Sequence, residues 1–469
     1  MPSPPDSSPG EALLRPSALA EAAPAMAGAP SSVPAVPEAL SRALAGVRTV
    51  RRRGRVLEAI GATIRVAGLE ASIGQQCELI DPDTGIRIAA EVVGLTGGQA
   101  LLMPLAPLNG VSLASEVVVA APQLTVPVGI ELLGRVLDAR GQPIDDGPAL
   151  PAGMLRRPVY ADAPNPLTRK PVDELFPTGV RAIDSLISVG VGQRVGIFAG
   201  AGVGKSTLMG MLARQQRAPV NVVALIGERG REVREFIDDC LGPEARARTV
   251  LIVATSDRPA MERARAAHAA TAIAEGFRSV GLDVLLMMDS VTRFARALRE
   301  IGLAAGEPAV RRGFPPSVFA ELPRLFERAG NDARGSITAF YSVLLEDEDT
   351  ADPIGEEVRS ILDGHITLSR KLAQQHRYPA IDVLDSLSRV FNRVTQPAHQ
   401  MAASVIRQLL ARHAEIEFMV QVGEYKQGTD QISDAAIERN PAIRALLAQS
   451  ADESIVFEQM LAEMGKVIS

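Results

Sequence analysis

Val195-Gly196-Ile197-Phe198-Ala199-Gly200-Ala201-Gly202-Val203-Gly204-Lys205-Ser206-Thr207 is an apolar run that breaks into glycines and ends on a lysine and two hydroxyls. Apolar Leu208, Met209, Met211 and Leu212 follow at helical spacing, so the stretch reads as strand, tight loop and helix. Glycines let successive backbone N–H groups curl around phosphate oxygens, and the helix N-terminus adds positive potential. Gly200, Ala201, Gly202, Val203, Gly204, Lys205, Ser206 and Thr207 are therefore the expected nucleotide cradle. Within it Lys205 reaches the β- and γ-phosphates and Ser206 offers its hydroxyl to a magnesium ion. Ala199 stands where the eight-residue pattern opens with glycine, and it is small enough to keep the tight turn. The competing reading is a chance glycine-rich turn, against which the flanking strand and helix both argue.

Outward from that loop, apolar runs at 194–199, 220–226, 250–254, 284–288 and 336–343 alternate with helical patterns. Such alternation predicts an α/β fold, a parallel sheet covered by helices on both faces. From Gly54 to about Val119 the pattern changes to short alternating or β-branched stretches, such as Gly61-Ala62-Thr63-Ile64-Arg65-Val66 and Ala89-Ala90-Glu91-Val92-Val93, broken by Gly, Asp and Pro. Several short strands at this spacing suggest a small β-barrel or sandwich. After Pro397 the strands stop, and 399–417, 434–438 and 453–464 read as helices punctuated by Gly423 and Pro441. Residues 1 to about 45, rich in Pro, Ala and Ser, read as a flexible tail whose end, 39–50, has the pattern of a short amphipathic helix. The cluster Arg51-Arg52-Arg53 with Arg55 is either a solvated basic turn or a contact for an anionic lipid or partner. Four parts are expected: a tail over 1–47, a barrel over 48–120, a nucleotide-binding core over 121–395 and a helical domain over 396–469.

Hydrolysis needs more than a cradle: a second ligand on the metal side and a group that positions the attacking water. The run Val284-Leu285-Leu286-Met287-Met288 ends in Asp289, the expected second magnesium-side ligand, acting partly through water. A helix cap is its other reading, because Ser290 and a helical pattern follow. The run 222–226 ends in Gly227-Glu228-Arg229-Gly230-Arg231-Glu232. In a parallel sheet Glu228 emerges at the same edge as Lys205, which makes it the expected general base or water-orienting residue. Taken alone, a glutamate after a strand reads as surface decoration.

The 469 residues leave room for about three domains. Apolar residues make up 46% and aromatics 3%, with no tryptophan, so Leu, Ile, Val, Ala and Met must build the core. A net charge of -6 argues against nucleic acid as the main partner, since backbone binding needs a basic surface. Cys77 and Cys240 lie far apart and indicate neither a disulfide framework nor a thiolate metal site. His268, His365, His376, His399 and His413 show no ligand spacing, so magnesium arriving with the nucleotide is the metal expected. No apolar run is long enough to span a bilayer, and the N-terminus lacks a secretory signal. The expectation is a cytosolic protein, at most peripheral to a membrane.

With these residues placed, the chain resembles the α/β subunit family of rotary ATP synthases and, within it, the type III secretion ATPases, over roughly residues 50–469. The most specific marks are Pro379-Ala380-Ile381-Asp382-Val383-Leu384-Asp385-Ser386-Leu387-Ser388, which fits the family signature, and Gly227-Glu228-Arg229. Pro166-Leu167-Thr168-Arg169, Gly313-Phe314-Pro315-Pro316-Ser317-Val318-Phe319 and Ile361-Leu362-Asp363-Gly364-His365-Ile366 mark the secretion branch. The resemblance implies a RecA-like core in a homohexameric ring, with nucleotide sites between subunits, the barrel holding the ring together and the helical domain at its mouth. It implies MgATP hydrolysis that drives chaperone release and unfolding of exported proteins at the cytoplasmic face of the bacterial inner membrane. The implied partners are a central stalk, stator-like proteins, secretion chaperones and exported proteins, with no nucleic acid. Residue by residue, Arg389 matches the arginine finger that reaches a neighbour's site, and Tyr378 the aromatic that stacks on adenine. Tyr425 in Gly423-Glu424-Tyr425 is a candidate for the other wall of that pocket. Arg229 and Arg293 match positions near the phosphates; pairing with acidic neighbours is the alternative for each. The segment 306–314 is by the same analogy a loop facing the central channel, or else a solvated loop. The run Glu346-Asp347-Glu348-Asp349 either solvates a turn or senses nucleotide.

Three readings compete: an export ATPase, a non-catalytic nucleotide-binding ring subunit, and a ring translocase acting on RNA. Glu228 separates the first two, because a homohexamer needs both Glu228 and Arg389 in one chain. The acidic balance and the lack of an aromatic-rich basic patch in the barrel stretch disfavour RNA. Leu368-Ser369-Arg370-Lys371-Leu372-Ala373 and Val383-Leu384-Asp385 look closer to injectisome than to flagellar members, the flagellar export ATPase being the alternative.

Overall fold

The computed structural model of the chain describes residues 53–468 apart from 122, 216 and 346–351. The expected tail, its 39–50 helix pattern, Arg51, Arg52 and the acidic run 346–349 lie outside the described residues. Strands β1 (Gly54–Ile60), β2 (Thr63–Ala67), β3 (Gln76–Ile80), β4 (Arg87–Thr96), β5 (Gln99–Pro104) and β6 (Glu116–Ala121) close into a barrel in the order β1-β2-β5-β4-β3-β6. Closure removes the free edges that a sandwich would leave. Alternation along these strands sends Ile64, Val66, Cys77, Leu79, Val92 and Leu102 inward. Burial, with the Glu91 carboxylate nearby, pushes the Cys77 thiol up to about 11, as suits a packed and inert cysteine.

Next in the chain come β7 (Val136–Leu137), β8 (Arg194–Ala199), β9 (Val220–Ile226), β10 (Thr249–Ala254), β11 (Asp283–Asp289), β12 (Ser336–Leu344), β13 (Gly364–Leu368) and β14 (Ile381–Ser388). They form a nine-stranded sheet in the order β14-β13-β8-β12-β11-β9-β10-β7, with the short strand Gly330–Asn331 pairing off β12. Along the main path all neighbours are parallel except β14, which runs antiparallel to β13. Every residue of β9 and β10 is buried, as a sheet covered on both faces requires. Period-2 alternation splits β9 between two cores: Val222, Ala224 and Ile226 on one face, Val223 and Leu225 on the other.

The helices that cover the sheet are α1 (Lys205–Arg214), α2 (Ala260–Ser279), α3 (Val291–Ala304) and α4 (Pro316–Phe326). Leu208, Met209 and Leu212 of α1 share the core of Val223 and Leu225, while α2, α3 and α4 supply the opposite core. Beyond the sheet lie α5 (Pro397–Gln421), α6 (Gln431–Leu447) and α7 (Phe457–Ile468). Ala402, Ile406, Ile443 and Met460 from these helices join the α1 core, so the helical region is not a free appendage. Pro441, expected as a break, instead sits within α6. A proline costs the helix one N–H donor, but Ile443 and Leu446 beyond it are buried, and that burial carries the helix on. Among the described residues no helix is long and apolar enough to cross a membrane.

Candidate functional site

The carboxyl ends of β8, β9, β11 and β12 make one edge of the sheet, with Ala199 opposite Leu344 and Leu225 opposite Asp289. Ligands of open α/β sheets bind at that edge. Gly202 (φ 76) and Gly204 (φ 96) adopt the left-handed backbone that glycine takes without strain, and α1 begins directly at Lys205. The loop amides therefore lie at the N-terminus of a ten-residue helix. Lys205 Nζ pairs with Asp289 Oδ1 and lies 3.7 Å from Glu228 Oε1. Three side chains from three strand ends thus form one cluster. Asp289 is 3% exposed, and Ser342 Oγ in mid-β12 donates to its Oδ1 at 2.6 Å. The helix cap is Ser290, whose hydroxyl accepts from Arg293 N, so Asp289 is not engaged in capping α3.

Glu228 is nearly covered, and its Oε1 is buried without a hydrogen-bond partner among the described residues. Burial, then a hydrogen bond with Glu232 and the charge of Asp289, pushes its carboxyl up to about 7, against the opposing pull of Lys205. Glu232 moves the other way, lowered chiefly by the hydrogen bond from Glu228. The two carboxyls titrate as a coupled pair, with Glu228 the one raised and Glu232 the one lowered. Neither Glu232 nor Ser342 was singled out from sequence. Both depend on contacts between elements, although Glu232 lies one helical turn from Glu228.

Arg293 packs against Gly227, where an added Cβ would meet its Cβ at 3.0 Å and its Cγ at 3.1 Å. Its Nε is buried and unpartnered among the described residues. Arg229 instead points outward, 76% exposed, with Nη1 3.6 Å from Glu232 Oε1, the acidic-neighbour alternative. The Tyr378 ring lies beside Gly204, where an added Cβ would be 3.8 Å from two ring atoms. Tyr378 walls a cavity of about 380 Å³ with Val203, Thr207, Met211, Leu368 and Gln449. Tyr425 does not line that cavity. Its hydroxyl donates to Asp434 Oδ1 at 2.8 Å in the α5–α6 connection, and the C-terminal wall comes from Gln449, Ser450 and Ala451.

Arg389 stands apart from this cluster. Leu368 pairs with Ala199 and Ile381, whereas Ser388 pairs with Gly364. Antiparallel β14 thus enters at the phosphate-loop edge just after Tyr378 and leaves at the opposite edge. The four-residue span of β13 separates the two edges by roughly 13 Å. Arg389 is exposed there, with Nη2 donating to Arg359 O at 3.3 Å. In the 306–314 segment, Arg311 pairs with Glu356 and Glu357.

Among the described residues no group of three or more His, Cys, Asp or Glu side chains could hold a metal ion. Ser206, Asp289 and the orphaned Glu228 Oε1 are hard oxygen donors of the kind a divalent ion takes when phosphates complete its shell. A divalent ion carried by a nucleotide fits this edge.

The sequence model of the ATP synthase alpha/beta family, nucleotide-binding domain, matches residues 179–388, and that of the T3SS EscN ATPase C-terminal domain matches 395–466. The type 3 secretion system ATPase of Xanthomonas euvesicatoria is 54% identical over 431 residues, covering 92% of this chain and 97% of that protein. The flagellum-specific ATP synthase of Bacillus subtilis is 48% identical over 415 residues, 88% of this chain and 94% of that one. The structure of the assembled ATPase EscN from the enteropathogenic E. coli type III secretion system matches with a TM-score of 0.84 at 45% identity, covering 89% of this chain and 100% of that chain. EscN in complex with its central stalk EscO matches at 0.82 and 44% identity, again over 89% and 100% of the two chains.

Proposed function

The chain belongs to the type 3 secretion system ATPases within the ATP synthase alpha/beta family, and on that premise we propose that it works as a homohexamer whose MgATP is held by one subunit and hydrolysed with help from the next. It is an ATPase of type III protein export. The phosphate-loop amides and Lys205 bind the phosphates, and Tyr378 stacks on the adenine in the cavity above Gly204. Phosphates entering the loop part Lys205 from Asp289, freeing the amine for phosphate oxygens and the carboxylate, with Ser206, for the ion. Ser206 and Asp289 would hold a magnesium ion there, which would supply positive charge to offset that of the phosphates. Glu228, once deprotonated, orients the water and takes its proton as the water oxygen bonds to the γ-phosphorus and ADP departs. Arg293 lies beside this chemistry, whereas Arg229 is free to reach phosphate only by leaving Glu232.

The observation that supports a shared site is the two-edged arrangement: Lys205, Glu228 and Asp289 converge at one edge while Arg389 stands at the other. An arginine there serves a nucleotide only on an adjoining subunit, where such a residue is worth roughly 10³ to 10⁵ in rate. EscN has been solved with a central stalk, and we assign this chain a similar stalk, stator-like proteins, secretion chaperones and exported proteins as partners. Its station is the cytoplasmic face of the inner membrane. The relatives at 54% and 52% identity are both type 3 secretion system ATPases, which supports the injectisome reading. Glu228→Gln should keep ATP binding and lose turnover by roughly 10² to 10⁴. Wild-type turnover in that variant would remove Glu228 from the role, and strong stimulation by RNA or DNA would revive the translocase reading.

A further inference from the structure

Three motifs of the sequence take no part in holding the nucleotide: Pro166-Leu167-Thr168-Arg169, the stretch from Gly313 to Phe319, and Ile361-Leu362-Asp363-Gly364-His365-Ile366. In the fold the first and third are joined through the far end of the helix that the second begins. The second motif opens α4, whose C-cap is Glu327. Glu327 Oε2 lies 3.4 Å from Arg169 Nη2, and Arg169 also donates to the main-chain carbonyls of Pro164, Glu327 and Ala329. The other oxygen of Glu327 takes Arg194 Nη1. Arg194 then grips Asp363 with two prongs, Nε to Oδ2 at 2.9 Å and Nη2 to Oδ1 at 3.1 Å, a geometry that fixes direction as well as distance.

Beyond the last carboxylate of this alternating chain, the main chain of Asp363 holds the main chain of Arg389. The Asp363 carbonyl accepts from Arg389 N at 2.9 Å and from Gln193 Nε2 at 3.0 Å. Gln193 Nε2 also donates to Ser388 Oγ at 3.1 Å, and that hydroxyl donates to Ser188 O at 2.8 Å. Gly364 completes the arrangement, because an added Cβ would lie 2.5 Å from Leu387 O. The side chains of Arg194 and Asp363 are 14% and 29% exposed, so their pair is the better shielded from the screening that makes surface pairs weak, whereas Glu327 is 46% exposed. All of this surrounds the sheet edge opposite the phosphate loop.

We propose that Arg169, Glu327, Arg194 and Asp363 are positioning residues that fix Arg389 for the nucleotide held by the neighbouring subunit. The inference rests on the trans role given to Arg389 above. An exposed arginine has many rotamers, and pinning its main chain narrows where the guanidinium can travel. A misplacement of about 1 Å can cost roughly 100-fold in rate.

Asp363→Asn keeps the size of the node and removes its charge, and Glu327→Gln does the same at the more exposed link. Each is expected to lower kcat roughly 10- to 100-fold, leaving KM for ATP within about twofold and ring assembly as in wild type, with a cooperative melt whose midpoint falls but stays well above the assay temperature. Each is then co-assembled with Lys205→Ala subunits. The network variant keeps an intact nucleotide site and the Lys205→Ala subunit an intact Arg389, so equal mixing should restore about a quarter of wild-type turnover if subunits alternate at random. Arg389→Ala with Lys205→Ala is the reference pair. Recovery in the reference but in neither network variant overturns the positioning role, as does a rise in KM or a loss of assembly that accounts for the lost kcat. Absence of recovery in the reference pair overturns the trans reading of Arg389 instead.

Discussion

Glu228 is held where its charge is costly, and that cost sets a pH dependence. Its carboxyl, pushed up to about 7 by burial, Glu232 and Asp289, is protonated in the free protein below that pH and becomes a base above it. kcat/KM, which reports the free enzyme, should therefore rise with pH through about 7. Glu232→Gln should move the rise to lower pH, since Glu232 raises its neighbour both by hydrogen bond and by charge. A profile flat across neutrality would disqualify Glu228 as the base. At this scale the sequence is legible where chemistry is local: the glycines, Lys205 and Ser206 are contiguous, and Glu228 and Asp289 each follow an apolar strand. Ser342 is not legible, because it sits inside an apolar run and gains its meaning from β12 lying beside β11. Tyr425 illustrates the converse: an aromatic near the right motif whose hydroxyl is committed to Asp434 within the helical region.

The elements show the same division. Five strands of the sheet are legible as apolar runs because they are buried on both faces, but β7 is two residues long and β14 alternates buried with exposed positions, so neither stands out. β13 and β14 nonetheless approach each other closely at Gly364. Gly364→Ala would put a Cβ 2.5 Å from Leu387 O and 3.2 Å from Ser388 Cα, both main-chain atoms that cannot swing aside. The expected outcome is a loss of about 1–3 kcal/mol, read as a lower unfolding midpoint. Unchanged stability would mean that the two strands separate freely, and would weaken the case that they fix Arg389.

For the whole molecule, the layout of barrel, parallel sheet and helices is legible because each part has its own periodicity. How the parts touch is not, since Gln449, Ser450 and Ala451 reach the phosphate loop across more than two hundred residues of chain. A nucleotide in the cavity they share with Tyr378 would tie the helical region to the core. A non-hydrolysable ATP analogue should therefore slow hydrogen exchange at 449–451, and unaltered exchange there would place the adenine elsewhere. One strand running against its neighbours has a last consequence. Because β14 begins just after Tyr378 and ends at the opposite edge, the two flanks of each subunit are unequal, and on the proposed trans role of Arg389 one of them would give while the other receives. In a closed circle of such subunits, the trans role proposed for Arg389 would give every interface a donor side and a receiver side, so clockwise and anticlockwise are structurally distinct before any stalk or cargo is added.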